Sequence, residues 1–268
     1  MHTFDETLCT YEVDDNVATI AFNRPDQMNG MTGDMEVAYF GRLLQAQADP
    51  SVRVIVVTGT GRGFCPGADL AHRPGEGQEP LPNAIVSTRT PLEITKPTIA
   101  MINGACAGVG LAYALQCDFR AAAAGVKFTT AFARRGLIGE YGMPWLLHQI
   151  AGRATALDLL ITARVFLADE AFRLGLVNAV AELDDLRSTV MALASDIAAN
   201  VSPASAAVVK YQVTTQSEMD AHRAMDQSDD LMRQSLKGPD VGEGIASFLE
   251  RRPVAFPPLG EGTTFDLG

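Results

Sequence analysis

Two glycine-rich stretches hold most of the residues in this sequence that could do chemistry. The first covers residues 63–70 and the second covers residues 103–112. Each stretch follows an apolar run and precedes a helical pattern, so each can direct unpaired backbone N–H groups at one point. If the N–H groups of Ala68 and Val109 converge, they form a two-donor hole for an oxyanion. The alternative is that each stretch is only a tight structural turn.

Glu140 is the carboxylate that the sequence places best for moving a proton. It lies in residues 136–142, a glycine-rich segment that comes just before a predicted apolar helix. A short segment limits the reach of the side chain, and we expect its surroundings to be dry. A general base has to meet its proton at hydrogen-bond distance, which a restrained carboxylate can do. The alternative is that Glu140 only caps or hydrogen-bonds the following helix.

Other reactive side chains near these stretches have weaker patterns. Asp69 is next to the predicted hole, but in this position we expect it to cap the helix that follows. His72 lies in the predicted loop at 71–90 and could face the site. Cys65 and Cys106 flank the site, yet no His/Asp arrangement marks either thiol as a nucleophile. Neither glycine stretch matches a nucleotide-binding fingerprint.

Hydrophobic patterning predicts the elements that position these residues. Alternating residues at 9–13 and 17–22 predict a β-hairpin, and Thr32 can cap a helix with Met35, Val37, Phe40 and Leu44 on its apolar face. Apolar runs at 52–58 and 98–102 predict strands that are covered on both sides. Residues 71–90 are polar and rich in Pro and Gly, which predicts a mobile surface loop or lid. Further strands are predicted at 119–123, 126–129 and 176–180, with helices from 109 to about 117, from 144, at 154–163 and at 169–174.

The last third of the chain has a different character. Beyond Leu183 the pattern is helical throughout, with predicted helices at 184–200, 203–216, 218–236 and 239–251. This pattern predicts an α-helical appendage on an α/β core. The residues from Pro253 onward predict a loosely held tail.

Composition excludes several classes of function. The chain has 268 residues, 47% of them hydrophobic, and a net charge of -11, which argues against a surface for nucleic acid or anionic membrane. Four cysteines without metal-ligand spacing predict reduced thiols and no metal site. Acidic residues near the N-terminus do not fit a signal peptide, and no apolar run reaches the ~18 residues of a membrane helix. We expect a cytoplasmic protein without nucleic-acid or membrane partners.

Taken together, the motifs resemble the crotonase (enoyl-CoA hydratase/isomerase) superfamily. The resemblance extends in the right order over nearly the whole chain. The matching segments are residues 23–25, 63–70, 96–97, 103–110, 117–118, 168–177 and 248–252.

The resemblance implies an α/β fold, a crotonase-like spiral of ββα units with a helical C-terminal trimerisation region. We expect the spiral core in residues 1–200, the helical oligomerisation region in residues 201–252 and the tail in residues 253–268. Members of the superfamily form homotrimers, and often hexamers that are dimers of trimers. We therefore expect either assembly here.

The resemblance also implies an acyl-CoA thioester substrate, with no cofactor because coenzyme A is part of the substrate. In the superfamily the thioester oxygen is held by the N–H groups at the positions of Ala68 and Val109. Relatives commonly carry glycine at the position of Val109, so we expect the valine side chain to narrow the pocket. Phe248 and Arg251 match a pair that contacts the nucleotide, often from a neighbouring subunit; the alternative is a core Phe248 and a solvated Arg251. The other residues expected to line the substrate site are Gln27, Met28, Pro66, Gly67, Leu70, Gly108, Ala112 and Phe132.

The acids of the site decide the expected reaction. Hydratases of the superfamily use two glutamates, whose positions fall here on Ala112 and Phe132, and neither residue can transfer a proton. Glu140 instead resembles the single glutamate that shuttles the proton in Δ3,Δ2-enoyl-CoA isomerases. We therefore expect enoyl-CoA double-bond isomerisation through a stabilised thioester enolate. The alternatives are an enoyl-CoA hydratase, another enolate reaction of a CoA thioester, or a non-catalytic homologue that binds CoA esters.

Overall fold

The computed structural model describes residues 4–72 and 87–267. The strands in these residues are β1 (Cys9–Asp14), β2 (Val17–Phe22), β3 (Val54–Gly59), β4 (Gly63–Cys65), β5 (Thr98–Ile102), β6 (Ala105–Ala107), β7 (Phe119–Ala123), β8 (Lys127–Thr129), β9 (Phe166–Leu167) and β10 (Ala179–Ala181). The helices are α1 (Gly33–Ala48), α2 (Thr90–Glu93), α3 (Val109–Gln116), α4 (Met143–Thr162), α5 (Ala168–Arg173), α6 (Leu183–Asn200), α7 (Pro203–Gln216), α8 (Ala221–Ser235) and α9 (Pro239–Glu250).

The strands form two sheets that the chain visits alternately. The larger sheet has the order β1-β2-β3-β5-β7-β10, and the smaller sheet has the order β4-β6-β8-β9. Three successive pairs, β3/β4, β5/β6 and β7/β8, each send the first strand to the larger sheet and the second to the smaller one. This repetition confirms the α/β fold and the spiral of ββα units. The predicted hairpin is also confirmed, since β1 pairs antiparallel with β2 and Cys9 lies opposite Phe22.

An aromatic cluster joins the helices that later border the functional site. The Tyr39 and Tyr113 rings, on α1 and α3, have centroids 5.0 Å apart, and the Phe22 and Phe64 rings have centroids 5.4 Å apart. Every residue of α3 is buried, as expected for a helix that is apolar all round. The relative position of α1 and α3 is therefore fixed by close packing in the core.

The first helix begins as predicted but buries a different face. The Thr32 side chain accepts a hydrogen bond of 3.3 Å from the Met35 N–H, which confirms the predicted cap. The expectation that Leu44 lies on the buried face is wrong, because Leu44 is 52% exposed and Leu43 is buried instead. The buried face of α1 also includes Glu36, which lines the cavity of the candidate site.

Two predicted elements differ from the observed ones because backbone bonds redirect the chain. The helices predicted from 144 and at 154–163 form one element, α4, broken at Gly152, where φ is 76°. The strand predicted at 176–180 is reduced to β10. The first residues of the predicted strand, Leu176 and Val177, instead donate their N–H groups to the Ala171 carbonyl near the end of α5.

The C-terminal residues are not loosely held, so that prediction is wrong. Asp240, which is buried, accepts hydrogen bonds from the Thr263 N–H at 3.0 Å and from the Ser202 hydroxyl at 3.1 Å. The Gln234 side chain accepts a further bond of 2.7 Å from the Asp266 N–H. Polar side chains of α8 and α9 thus replace water as partners of the backbone and hold this segment in place.

The composition predicts reduced thiols, no metal site and no membrane-spanning helix, and the described residues bear on each of these features. All four cysteines are free and buried. Across residues 4–72 and 87–267, no three His, Cys, Asp or Glu side chains group as metal ligands would. No single described helix is long and apolar enough to cross a bilayer, and only α6 and α7 together, bent by 113°, reach that length and composition.

Candidate active site

A cavity of about 320 Å³ lies where the two glycine stretches meet the segment before α4. Its wall contains eight of the residues that the sequence predicts for the site, namely Pro66, Gly67, Ala68, Leu70, Gly108, Val109, Phe132 and Glu140. The remaining lining residues come from the start of α1, from Asp69 and from residues 131–141. Sequence segments far apart in the chain therefore form one concave site.

The two glycine stretches touch each other through their backbones. A Cβ built on Gly108 would lie 3.6 Å from the Cα of Gly67, and Gly108 has φ 50° and ψ -124°, a conformation that favours glycine. The next residue, Val109, is the first of α3, so its N–H has no acceptor within the helix. The positive end of the α3 dipole therefore points into the cavity wall.

The second candidate donor is presented by a short strand-like pairing. Met31 donates to the Gly67 carbonyl at 2.9 Å, and Asp69 donates to the Met31 carbonyl at 2.8 Å. In a parallel pairing of this kind, the N–H of the intervening Ala68 points away from Met31. Within the described part of the chain, no acceptor takes the Ala68 N–H. The arrangement offers two fixed backbone donors to a negatively charged oxygen.

Glu140 lines the same cavity but is exposed in the single chain, so the expectation of dry surroundings is wrong. Its backbone carbonyl, rather than its carboxylate, accepts the Met143 N–H at 3.0 Å at the start of α4. The capping alternative is therefore not supported. The turn is held by the next residue, Tyr141, which has φ 56° and whose carbonyl accepts a 3.2 Å bond from Gln116.

Glu36 is a second carboxylate on the cavity wall, and the sequence analysis did not select it. It is 9% exposed, and its carboxylate accepts a hydrogen bond from the buried Tyr113 hydroxyl. A signal was present in the sequence, because Glu36 precedes Tyr39 by three residues and Phe40 by four, on the buried face of a helix. A charged residue at such a position indicates either a buried partner or a functional site.

The two tyrosines beside Glu36 remain protonated donors. Burial, followed by the negative charge of Glu36, raises the pKa of Tyr113 well above its ordinary value. Burial, followed by the charge of Glu36 and a hydrogen bond to it, also raises the pKa of Tyr141. Ionisation is disfavoured at both hydroxyls, so the Tyr113 hydroxyl stays protonated and donates to the Glu36 carboxylate.

The weaker candidates have structural partners. Asp69 pairs with Arg24 at 3.0 Å and accepts the Ala71 N–H at 3.1 Å, which matches the expected capping role. Burial raises the pKa of the Cys65 thiol to about 12 and raises that of Cys106 well above its usual range. Neither thiol therefore supplies a thiolate at neutral pH.

Several predicted site residues are not on the wall of this cavity. Ala112 is completely buried within α3, so the expectation that it lines the site is wrong. Gln27 and Met28 lie in the loop before α1, where Met28 packs against β4 at Gly63. Phe248 is 82% exposed on α9, which excludes the alternative that it belongs to the core. Arg251 is also exposed, and in one chain neither residue reaches the cavity.

The predicted lid falls largely outside the described residues. Residues 73–86 of the loop predicted at 71–90 are not described, and the segment is flanked by a 3-10 turn, Leu70–His72, and by α2. The lid and the role of His72 stay predictions.

The structure combines an α/β spiral with a cavity lined by two candidate backbone donors and by acidic residues. This combination is typical of enzymes that stabilise an oxyanion. The family model described as enoyl-CoA hydratase/isomerase matches residues 12–258. The 1,2-epoxyphenylacetyl-CoA isomerase of Escherichia coli is 31% identical over 252 residues, covering 91% of this chain and 96% of that protein. The crotonyl-CoA hydratase of Syntrophomonas wolfei is 32% identical over 252 residues, with the same 91% and 96% coverage.

A solved structure agrees with these relatives. The crystal structure of a probable enoyl-CoA hydratase/isomerase from Mycobacterium abscessus superposes with a TM-score of 0.86 at 28% identity, covering 93% of this chain and 98% of that one. The chain belongs to the enoyl-CoA hydratase/isomerase family of the crotonase superfamily, and it is an acyl-CoA enzyme.

Proposed function

We propose that this enzyme isomerises the double bond of an enoyl-CoA, with Glu140 as the proton shuttle. The observation that carries the proposal is the position of Glu140, on the wall of the cavity that also contains Ala68 and Val109. The hydratase positions are occupied by Ala112, which is buried, and by apolar Phe132. A single carboxylate is enough for isomerisation, whereas hydration has to activate water and also protonate a carbon.

One base and one oxyanion hole are sufficient for the proposed reaction. The Glu140 carboxylate removes a proton from C2 of a 3-enoyl-CoA, and the electron pair moves to the thioester oxygen. The N–H groups of Ala68 and Val109 stabilise the resulting dienolate. The protonated Glu140 then returns the proton to C4, the double bond becomes C2–C3, and the carboxylate is regenerated.

For the rest of the substrate we propose the path that the family resemblance implies. The thioester lies at Gly67 and Gly108, and the CoA moiety passes Pro66 and Leu70 towards the loop at 27–28. Coenzyme A is part of the substrate, and no separate cofactor takes part.

We also propose a homotrimer or a dimer of trimers, in which Phe248 and Arg251 of a neighbouring subunit contact the nucleotide. The large exposed apolar side chains of α9, Ile245, Phe248 and Leu249, support subunit contacts in this region. Four buried free cysteines support a reducing compartment, which favours the cytoplasm.

Hydration is the second candidate, and a specific observation favours it. The crotonyl-CoA enzyme from Syntrophomonas wolfei carries the name hydratase, and Glu36 places a second carboxylate in the cavity. Two carboxylates can divide water activation and carbon protonation between them.

The test supplies trans-3-enoyl-CoA and trans-2-enoyl-CoA separately and follows double-bond migration and water addition. We expect migration to exceed hydration, and Glu140→Gln to lower kcat for migration by about 10²–10⁴-fold, the usual worth of a positioned base. Glu12→Gln, a substitution on exposed β1 away from the cavity, is the matched control and should leave kcat unchanged.

Strong hydration that survives Glu140→Gln would overturn the assignment in favour of a hydratase. Tight CoA-ester binding without exchange of α-protons into deuterated solvent, over a panel of thioesters, would instead support a non-catalytic homologue.

A further inference from the structure

Glu36 differs from the other buried charged side chains because it borders the cavity. Its residue is 9% exposed and lines the same cavity as Ala68 and Val109. Burying a carboxylate is costly unless it is paired or hydrogen-bonded. Among the described residues, Glu36 forms no ion pair with a lysine or arginine, and the Tyr113 hydroxyl donates to its carboxylate.

Glu36 is connected through two tyrosines to the turn that carries Glu140. The Tyr113 and Tyr141 rings pack edge to face with centroids 5.5 Å apart, and Tyr141 directly follows Glu140. Burial, followed by the negative charge of Glu36, raises the pKa of Tyr141. The carboxylate is thus next to the turn that carries Glu140, and both residues line the cavity in which the proposed function places the acyl group.

The acceptor capacity of Glu36 is only partly filled by the protein. A carboxylate offers about four acceptor sites, and the Tyr113 hydroxyl occupies one of them. Solvent can reach the remainder while the cavity is open. A plain alkyl chain would exclude this solvent without replacing its hydrogen bonds, which penalises binding. An acyl chain with a hydroxyl or ammonium group would donate to the carboxylate instead.

We propose that Glu36 selects acyl-CoA substrates whose acyl chain carries a hydrogen-bond donor, a hydroxyl or an ammonium group, over plain alkyl chains. The inference rests on the proposed function only in placing the acyl group of a CoA ester in this cavity. Sites built to bond a polar group discriminate against analogues that lack it, because their own polar groups are left without partners.

The test measures binding of saturated six-carbon CoA esters to the full-length chain by titration calorimetry. Hexanoyl-CoA is compared with two isomers that carry a hydroxyl on one of the last two carbons and with an ester that carries a terminal amine. Saturated esters cannot undergo the double-bond reaction, so their dissociation constants are independent of catalysis. We expect at least one donor-bearing ester to bind about 10- to 100-fold more tightly than hexanoyl-CoA, the range for a hydrogen bond to a charged group.

Two substitutions separate the acceptor from its charge. Glu36→Met removes the acceptor at similar length, and it should reduce the donor preference to within about twofold and tighten binding of hexanoyl-CoA. Glu36→Gln keeps an acceptor without charge, so it should retain part of the hydroxyl preference and lose the additional preference for the amine. Glu12→Gln is the control, and thermal unfolding verifies that each variant is folded.

The inference would be overturned without any variant if the unaltered chain bound hexanoyl-CoA as tightly as, or more tightly than, every donor-bearing ester. A donor preference that persists in folded Glu36→Met would overturn it as well. The failure of the proposed reaction is distinguishable, because a chain that shows the donor preference but no double-bond migration keeps this inference and loses the isomerase assignment. A chain that binds none of the CoA esters contradicts both.

Discussion

The two sides of the cavity are built in different ways. On the donor side, the candidate groups are the backbone N–H groups of Ala68 and Val109, whose positions follow from the Met31 pairing and from the start of α3. Elsewhere on the cavity wall, the candidate groups of Glu140 and Glu36 are side chains, one exposed on a turn and the other buried on a helix. A substitution can replace a side chain while the fold persists, whereas every substitution other than proline leaves the backbone N–H donor in place. In the proposed mechanism the hole therefore depends on the fold, and the choice of reaction depends on the acidic side chains.

The largest effect should come from disturbing the donor side. A Cβ on Gly110 would lie 2.2 Å from the Cys65 carbonyl oxygen, so Gly110→Ala has to displace the start of α3 from β4. We expect kcat/KM to fall by about 10³-fold or more, comparable to the removal of an oxyanion donor, with a reduced yield of folded protein. Enzyme kinetics and circular dichroism measure the two effects.

Gly242→Ala is the matched control for this comparison, because a Cβ at Gly242 in α9 meets no atom within 4 Å. It should leave activity unchanged. Normal activity in Gly110→Ala would show that the donor side tolerates movement and would contradict the contrast between the two sides.

A smaller effect is expected on the side-chain wall. Tyr113→Phe removes the hydroxyl that donates to Glu36 and leaves a buried carboxylate with one donor fewer. The free energy of unfolding should fall by about 1–3 kcal/mol. Tyr39→Phe is the control, because the Tyr39 hydroxyl is equally buried yet has no hydrogen-bond partner among the described residues. Chemical denaturation measures both, and an equal loss in the two variants would contradict a role for the Tyr113–Glu36 bond.

The smallest effect is the change in the free energy of unfolding with pH. It tests whether Lys96 and the buried cysteines lie in a dry core beneath the donor side. Burial lowers the pKa of Lys96 from 10.5 to about 8, so from pH 8 upward the unfolded state binds more protons and stability rises with pH. Burial raises the thiol pKa values of Cys9, Cys65 and Cys117 from 9.0 to about 12. Above pH 9 the unfolded thiols ionise while the folded ones stay protonated, so stability falls.

Three thiols outweigh one lysine, because each group contributes about 1.4 kcal/mol per pH unit within its window. In the unfolded state the thiols begin to ionise about one pH unit below their pKa of 9.0, so between pH 8 and 9 their contribution cancels that of the lysine. We therefore expect the free energy of unfolding to change by less than about 0.5 kcal/mol from pH 8 to 9 and to decline beyond it. Denaturation curves measured between pH 8 and 10.5 give this profile. A steady rise up to pH 10.5 would show that the thiols are not in the dry environment described above.

The sequence by itself determined the framework of the molecule and the position of the two glycine-rich stretches that carry the candidate donors. Glycines at 67, 108 and 110, each close to an apolar strand or helix, fix local conformations that depend on neighbouring residues, so patterning predicts them well. The same local logic gave the cap at Thr32 and the hairpin at 9–22. The order of these motifs along the chain is sufficient to indicate the family.

Only the tertiary structure decided which side chains share the cavity. Glu36 and Tyr113 are 77 residues apart in the chain, and their contact arises because α1 and α3 pack through one aromatic cluster. The exposure of Glu140 and the anchoring of Thr263 by Asp240 depend in the same way on distant elements. Local pattern sets the direction of a side chain relative to its own helix or strand. The partner that it meets is set by how the elements pack, and that depends on the whole chain.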